Sequence, residues 1–332
     1  MRFAIIGCGK IAGRHAEQAA KLGELVAVCD IDKGKAEALA SKYNARSYSS
    51  LDDLLAKEET VNLVSICTPN GLHAAHSIAA LKAGKDVLCE KPLCISSKDA
   101  MAMIDTAEKT GRKLFVVKST RYNPSLVLLK KIIEQEKMGQ LYNFQLNCFW
   151  NRPQTYYTGT WKGTMAMDGG TLYTQFSHYI DALLWLLGDL QSVKGWRKNM
   201  AHASSIEFED TGIAAIEMQN GIIGGLNWSV NTFKKNMEVS FTLIAEKGSI
   251  RIGGEYMNKV EYQLADGAVL DIPHEGEAND YGFYKGSMSN HHKVYENLLL
   301  ALNDSSHPFS NAHDGLKTVE AIEKIYNSVS LL

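Results

Sequence analysis

No apolar run in the chain approaches the roughly 18 residues needed to cross a bilayer, and the chain opens directly on the strand-like Phe3-Ala-Ile-Ile6, which reads as leaving no secretory leader. Neither sign of charge is in excess: 35 lysines and arginines against 37 aspartates and glutamates leave a net charge of −2. A surface so balanced argues against nucleic acid or a membrane as partner. Cys-x-x-Cys is also missing. The six cysteines stand at 8, 29, 67, 89, 94 and 148, four of them in or beside apolar runs that read as buried strands. That spacing builds neither a disulfide framework nor a zinc ribbon, and it suits the reducing cytoplasm. Internal repeats, low-complexity tracts and long linkers are absent.

What remains is an ordinary globular mixture, 45% hydrophobic and 22% charged, in 332 residues. That length suits about two domains with sizeable cores. The first 120 residues alternate short apolar runs with helical patterns: Phe3–Ile6, Leu25–Cys29, Val61–Cys67, Asp86–Cys89 and Leu114–Val117 are separated by helix-like stretches. Runs so short and unalternating suit strands covered on both faces. Ser96 with Asp99 reads as a helix start. A doubly wound α/β domain with a parallel sheet is expected over 1–120.

Beyond residue 120 the pattern changes. A helix over Pro124–Glu136 leads into Leu141–Trp150, which alternates like a half-buried strand, and a helix-like block runs from Thr174 to Leu187. Gln219-Asn220-Gly221, Glu246-Lys247-Gly248 and Ala265-Asp266-Gly267 are hairpin signals, so 121–332 is expected to hold an open, mainly antiparallel sheet. Two amphipathic helices, at 289–303 and 312–329, end the chain. The Gly/Asn/Asp-rich stretch 273–287 reads as a mobile loop, with Tyr281 to Tyr284 either a lid over the substrate or just a flexible loop.

Gly7-Cys8-Gly9-Lys10-Ile11-Ala12 follows the first strand and opens the first helix, fitting G-x-G-x-x-G/A. The first glycine permits the tight turn, the second lets backbone N–H groups approach a pyrophosphate, and the helix N-terminus adds partial positive charge. Alone, such a motif is also an ordinary βα turn. Asp30, ending the second strand, strengthens it, because a carboxylate there accepts ribose hydroxyls and repels a 2′-phosphate, favouring NAD. Thr68-Pro69-Asn70 with His73 follows another strand and should line the same crevice. His76 adds a His-x-x-His spacing without further ligands, so no metal is expected. Glu90-Lys91-Pro92 puts a lysine at a strand's carboxyl end, where a buried amine can exchange a proton with a substrate hydroxyl.

These motifs, followed by Asp168-Gly169-Gly170 and His178-x-x-Asp181, occur in an order that resembles the glucose–fructose oxidoreductase / inositol dehydrogenase / rhizopine-catabolism family (Gfo/Idh/MocA) across essentially the whole chain. The resemblance implies that Lys91 and His178 face the reacting carbinol beside the nicotinamide, either serving as the base. It implies cofactor contacts from Gly7, Gly9, Lys10, Ile11, Asp30, Thr68, Asn70, His73, Glu90 and Lys91, joined by Trp161 and Lys162. Many members carry an aspartate four residues before the histidine. Here that position is Thr174, which a single helix would place on the face of His178 but which cannot act as a base. Asp181 is expected to orient or cap.

Asn151-Arg-Pro-Gln-Thr-Tyr-Tyr157 and Gly159-Thr-Trp-Lys-Gly-Thr164, with Phe115–Lys118 and Arg121, resemble the UDP-N-acetylglucosaminuronate 3-dehydrogenases (WlbA type) within that family. The resemblance implies a nucleotide-sugar substrate, oxidised at C3 ahead of transamination in diamino-uronate and lipopolysaccharide synthesis. Its contacts would come from Lys91, Arg121, Arg152, Gln154, Tyr156, Thr174 and His178. Arg152 offers planar donors for a carboxylate or phosphate, and Tyr156 and Tyr157 offer stacking faces; the same aromatics also suit a core. Dimers or tetramers built sheet to sheet are implied too. The competing expectations are a plain sugar or inositol dehydrogenase and a non-catalytic NAD-sensing regulator. His291-His292 reads as solvated.

Overall fold

Strands with no solvent face need no alternation, and the apolar runs of the first 118 residues become such strands. The computed structural model describes residues 1–266, 278–280, 285–304 and 306–332. In chain order come β1 (Arg2–Ile6), α1 (Ala12–Leu22), β2 (Glu24–Cys29), α2 (Lys33–Tyr43), β3 (Arg46–Tyr48), α3 (Leu51–Lys57), β4 (Leu63–Ile66), α4 (His73–Lys82), β5 (Asp86–Cys89), α5 (Ser97–Thr110) and β6 (Leu114–Val116). The Ser96 hydroxyl accepts the Asp99 N–H at 3.4 Å and starts α5 where the sequence pattern places it. All six strands are parallel, in the order β3-β2-β1-β4-β5-β6. The order reverses between β1 and β4, so a ligand crevice lies outside their carboxyl ends. Ile6 pairs with both Cys29 and Ile66, which brings the segments beginning at Gly7 and Cys67 to the same end of the sheet.

The second unit follows with α6 (Pro124–Glu134), β7 (Leu141–Phe149), α7 (Gln154–Tyr157), α8 (Thr171–Thr174), α9 (Ser177–Leu187), β8 (Leu190–Lys198), β9 (Thr211–Met218), β10 (Ile223–Ser229), β11 (Glu238–Ala245), β12 (Gly248–Gly253), β13 (Lys259–Ala265), β14 (Ala278–Asp280) and β15 (Lys285–Met288). After these come α10 (His291–Asn303), α11 (Ala312–Ser328) and β16 (Val329–Leu331). Eight strands form one sheet, β13-β12-β11-β7-β10-β9-β8-β16. It is mainly antiparallel, with β7–β10 and β8–β16 parallel. Asn220-Gly221 turns one hairpin and Glu246-Lys247 the other, ahead of Gly248, with Ile223 opposite Glu217 and Gly248 opposite Ala245; Gly267 lies outside the described residues. One face buries Phe144, Leu146, Cys148, Leu226 and Trp228, whereas Trp196, Ile213, Ile223, Tyr262 and Leu264 are exposed.

Two expectations are corrected. The block 174–187 is not one helix: α8 ends at Thr174 and α9 starts at Ser177. The Tyr326 hydroxyl takes the Leu172 N–H at 2.9 Å and the Thr171 hydroxyl bonds the Glu209 carbonyl at 2.6 Å, which directs α8 independently of α9. The stretch 273–287 is not wholly loop, because β14 and β15 pair with Ala278 opposite Met288; Tyr281 and Tyr284 lie outside the described residues. The chain also returns to its first unit near its C-terminal end. The first unit comprises Met1–Lys118 and His291–Val319, the second Ser119–Asn290 and Glu320–Leu332. Buried contacts of His291 and Tyr295 tie the returning segment to the first sheet.

Candidate active site

In the first unit, Gly7 has φ +92°, and a Cβ there would stand 2.6 Å from the Cys67 carbonyl oxygen. Only glycine fits so close a turn. A Cβ on Gly9 would meet nothing within 4 Å, so the backbone beside Lys10 and Ile11 faces open space. Helix α1 begins there with no side-chain cap at Ile11 and no acidic residue in its first turn. Its leading N–H groups suit an anion. The Asp30 carboxylate is fixed at the end of β2, Oδ2 accepting the Cys8 N–H at 2.7 Å and Oδ1 the Asp32 N–H at 2.8 Å. Open space over Gly9, an uncapped helix and an anchored carboxylate together fit a dinucleotide.

The loops after β4 and β5 are tied together by His73. The imidazole is buried, with Nδ1 2.7 Å from the Pro92 carbonyl and Nε2 2.9 Å from that of Thr68. Burial holds its pKa below the usual value against both carbonyls. Asn70 is buried one turn earlier. His76 Nδ1 lies 3.1 Å from the Thr68 hydroxyl.

The buried side chain of Glu90 turns toward two histidines. Its Oε1 is 2.8 Å from His15 Nε2 and 3.1 Å from His291 Nε2, and its Oε2 accepts the Lys91 backbone N–H at 2.9 Å. Burial raises the carboxyl, but the two imidazoles outweigh it and hold Glu90 well below the usual range. His291, expected in solvent, is buried, while His292 is exposed. The side chain of Lys91 is half-buried.

In the second unit, His178 is buried in the first turn of α9, its Nε2 3.3 Å from the Ser287 hydroxyl of β15. Thr174 does not share a continuous helical face with it. Its hydroxyl bonds the Asp168 carboxylate, whose other oxygen accepts the Gly163 N–H at 2.8 Å. Arg121 is held by Asp181 through Nε to Oδ2 and Nη2 to Oδ1, both at 2.9 Å, so the expected orienting role of Asp181 has a partner.

Arg152 is 3% exposed, with Nη1 donating to the Asn151 carbonyl at 2.6 Å and Asn236 Oδ1 at 3.1 Å, and its guanidinium is 4.7 Å from the Trp150 ring centre. Tyr156 and Tyr157 are buried with Ile206 and Phe208. Lys162 lies over both Tyr156 and Trp161, at 4.7 and 5.0 Å. Gln154 is exposed. Sequence reasoning missed His15, Tyr295 and Ser287, because no local spacing links them to Glu90 or His178.

Two family models cover most of the chain: the Gfo/Idh/MocA oxidoreductase family NAD-binding Rossmann fold over residues 1–118, and that family's C-terminal alpha/beta domain over 130–330. The WlbA dehydrogenase of Bordetella pertussis, solved with NADH and UDP-GlcNAcA, is 34% identical, with a TM-score of 0.88 over 99% of this chain and 96% of that one. The Chromobacterium violaceum WlbA dehydrogenase, solved with the same two ligands, is also 34% identical, with a TM-score of 0.88 over 99% and 93%. D-glucoside 3-dehydrogenase of Escherichia coli is 29% identical over 80% of this chain and 83% of its own.

Proposed function

The chain belongs to the Gfo/Idh/MocA oxidoreductase family, and from that premise we propose that it oxidises the C3 hydroxyl of a UDP-sugar, foremost UDP-N-acetylglucosaminuronate, to the 3-keto sugar with NAD⁺. It is an NAD-dependent dehydrogenase. The observation that carries the substrate reading is end-to-end likeness to two dehydrogenases solved with UDP-GlcNAcA and NADH.

When bound, NAD⁺ supplies the hydride acceptor for the carbinol carbon. The accompanying hydroxyl proton falls to Lys91, with His178 as base or relay, because the Thr174 hydroxyl has no basic group to offer. Gly7, Gly9, Lys10 and Ile11 would hold the pyrophosphate, Asp30 the adenosine ribose, and Thr68, Asn70, Trp161 and Lys162 further parts of the cofactor. Arg121, Arg152, Gln154 and Tyr156 remain candidates for the nucleotide-sugar. Arg121 and Arg152 already hold partners at 2.9 and 2.6 Å, which favours a role in fixing the pocket's shape. The exposed Trp196, opposite Ile213 on the open sheet, supports assembly into dimers or tetramers. A 3-keto product is what a transaminase requires, so the reaction would precede amination in cytoplasmic diamino-uronate synthesis for lipopolysaccharide.

The test is to incubate the protein with NAD⁺ and UDP-N-acetylglucosaminuronate, UDP-N-acetylglucosamine, simple glucosides or inositol, and follow NADH. The uronate should exceed UDP-N-acetylglucosamine in kcat/KM by about 100-fold, since a site built for a charge is left unpaired without it. Comparable values would return the site to general sugars, and tight NAD binding with no turnover anywhere would favour a regulator.

A further inference from the structure

We propose that His15 and His291 are positioning residues for the reaction: by donating to Glu90 they fix the turn from which Lys91 projects. The proposal rests on the reading of Lys91 as a proton-handling residue. Glu90 is a single buried carboxylate facing three nitrogen donors, namely His15 Nε2, His291 Nε2 and the Lys91 backbone N–H, at 2.8, 3.1 and 2.9 Å. A neutral imidazole has one N–H. If His15 gives its own to Glu90, its Nδ1 must accept, and the Tyr295 hydroxyl is 2.9 Å away to donate. Tyr295 then accepts from the Ser65 hydroxyl at 2.8 Å. The direction of every bond is set, from β4 through α10 and α1 to the residue after β5.

The two rings meet edge-on, 5.2 Å between centres, so the imidazoles also pack against each other. On the opposite flank His73 lies 2.7 Å from the Pro92 carbonyl. The backbone of Lys91-Pro92 is therefore held at its first N–H by the Glu90 carboxylate and at its last carbonyl by His73. A misplacement of about 1 Å costs a reaction on the order of 100-fold, which is what such a grip guards against. The ligand atoms of His15, Glu90 and His291 all lie within 4.8 Å of one another, a set whose chemistry also suits a divalent cation. The 2.8 and 3.1 Å separations are also hydrogen-bond lengths, and in the positioning role they are assigned to shared protons.

The test uses the full chain and two variants of His291, whose Nδ1 has no partner among the described residues. His291→Gln keeps an N–H for Glu90 and gives up nothing at Nδ1; His291→Leu removes the donor. For His291→Leu, kcat per NAD-binding site should fall about 10- to 100-fold, while KM for the sugar and Kd for NAD, measured by fluorescence without turnover, stay within about threefold. His291→Gln should recover kcat to within about threefold of wild type. If His291→Leu does not fold, Glu90→Gln, which sets an amide N–H against these donors, should show the same split. An unchanged kcat, a glutamine variant as impaired as the leucine one, or parallel loss of NAD binding would overturn the proposal. So would loss of wild-type activity on dialysis against a chelator with recovery on adding zinc. Lys91→Met is assayed alongside: if it turns over normally, the reading of Lys91 fails, whereas its inactivity beside a fully active His291→Leu sinks only the positioning role.

Discussion

Glu209 and Asp210 are consecutive, both buried, and their carboxyls are pushed in opposite directions. Burial takes Glu209 up to about 7 from 4.5, against the Tyr326 hydroxyl at 2.8 Å, the Trp228 indole N–H at 3.2 Å and Arg197 at 3.4 Å. Burial also raises Asp210, but His202 at 3.0 Å and the Met200 and Ala201 N–H groups outweigh it and hold the acid at about 2 against 3.8. In the folded chain Glu209 keeps a proton that the unfolded chain has released. Its stabilisation is thus complete below 4.5 and lost as pH rises to about 7. The contribution of Asp210 is present above 3.8 and lost as pH falls towards about 2. Melting temperatures of wild type and Glu209→Gln across these values should diverge between pH 4.5 and about 7, wild type declining by the equivalent of at most about 3 kcal/mol. Parallel curves would remove the assignment.

The two glycines of the first loop should fail differently. Gly7→Ala drives a methyl against the Cys67 carbonyl at a positive φ, so it should lower the melting temperature and NAD affinity together. Gly9→Ala meets no protein atom within 4 Å. Its melting temperature should stay near wild type while Kd for NAD rises about 10-fold or more, a cost of roughly 1.4 kcal/mol. Calorimetry beside a fluorescence titration separates the two, and an unchanged Kd for Gly9→Ala would show that no pyrophosphate approaches there.

Asp30, anchored through both oxygens to backbone N–H groups, cannot easily turn away from a 2′-phosphate. NADH should bind about 10- to 100-fold more tightly than NADPH, the effect of a like-charge contact of roughly 1–3 kcal/mol. Asp30→Ala should narrow that ratio. Equal affinity in the wild type would contradict the role given to this carboxylate.

Lys91→Met keeps the stem's volume and deletes the ammonium, and His178→Asn keeps a polar head that does not titrate. Each should bind NAD and lose about 100- to 10,000-fold in turnover, the lysine change being the more severe. The double variant should lose less than the product of the two factors, because groups acting as a unit are not additive. Single-turnover kinetics measure all three.

The first sheet was legible because β1, β4 and β5 are buried on both faces, and such strands leave unbroken apolar runs in the sequence. β3 escaped notice: its three residues include no buried one, and among the described residues it pairs with β2 alone. Gly7, Gly9 and Asp30 were readable since the chemistry of a βα turn is local. The break after Thr174 was not, because Leu172, Tyr173 and Phe176 are all buried and continue the apolar pattern across it, while the tie that turns α8 comes from Tyr326. The histidines around Glu90 escaped notice for a similar reason. Nothing in the spacing of positions 15, 90 and 291 announces that they meet.

The return of His291–Val319 to the first unit governs when that unit can be completed during synthesis. A nascent chain that has emerged only to Lys118 has every strand of the parallel sheet but neither His291 nor Tyr295, so Glu90 and His15 lack their remaining partners. At translation speeds of about 5–20 residues per second, the wait for Tyr295 is on the order of ten seconds or more. Through that interval Glu90 has the His15 imidazole and the Lys91 N–H but not His291, so the grip on the turn bearing Lys91 is incomplete until α10 emerges.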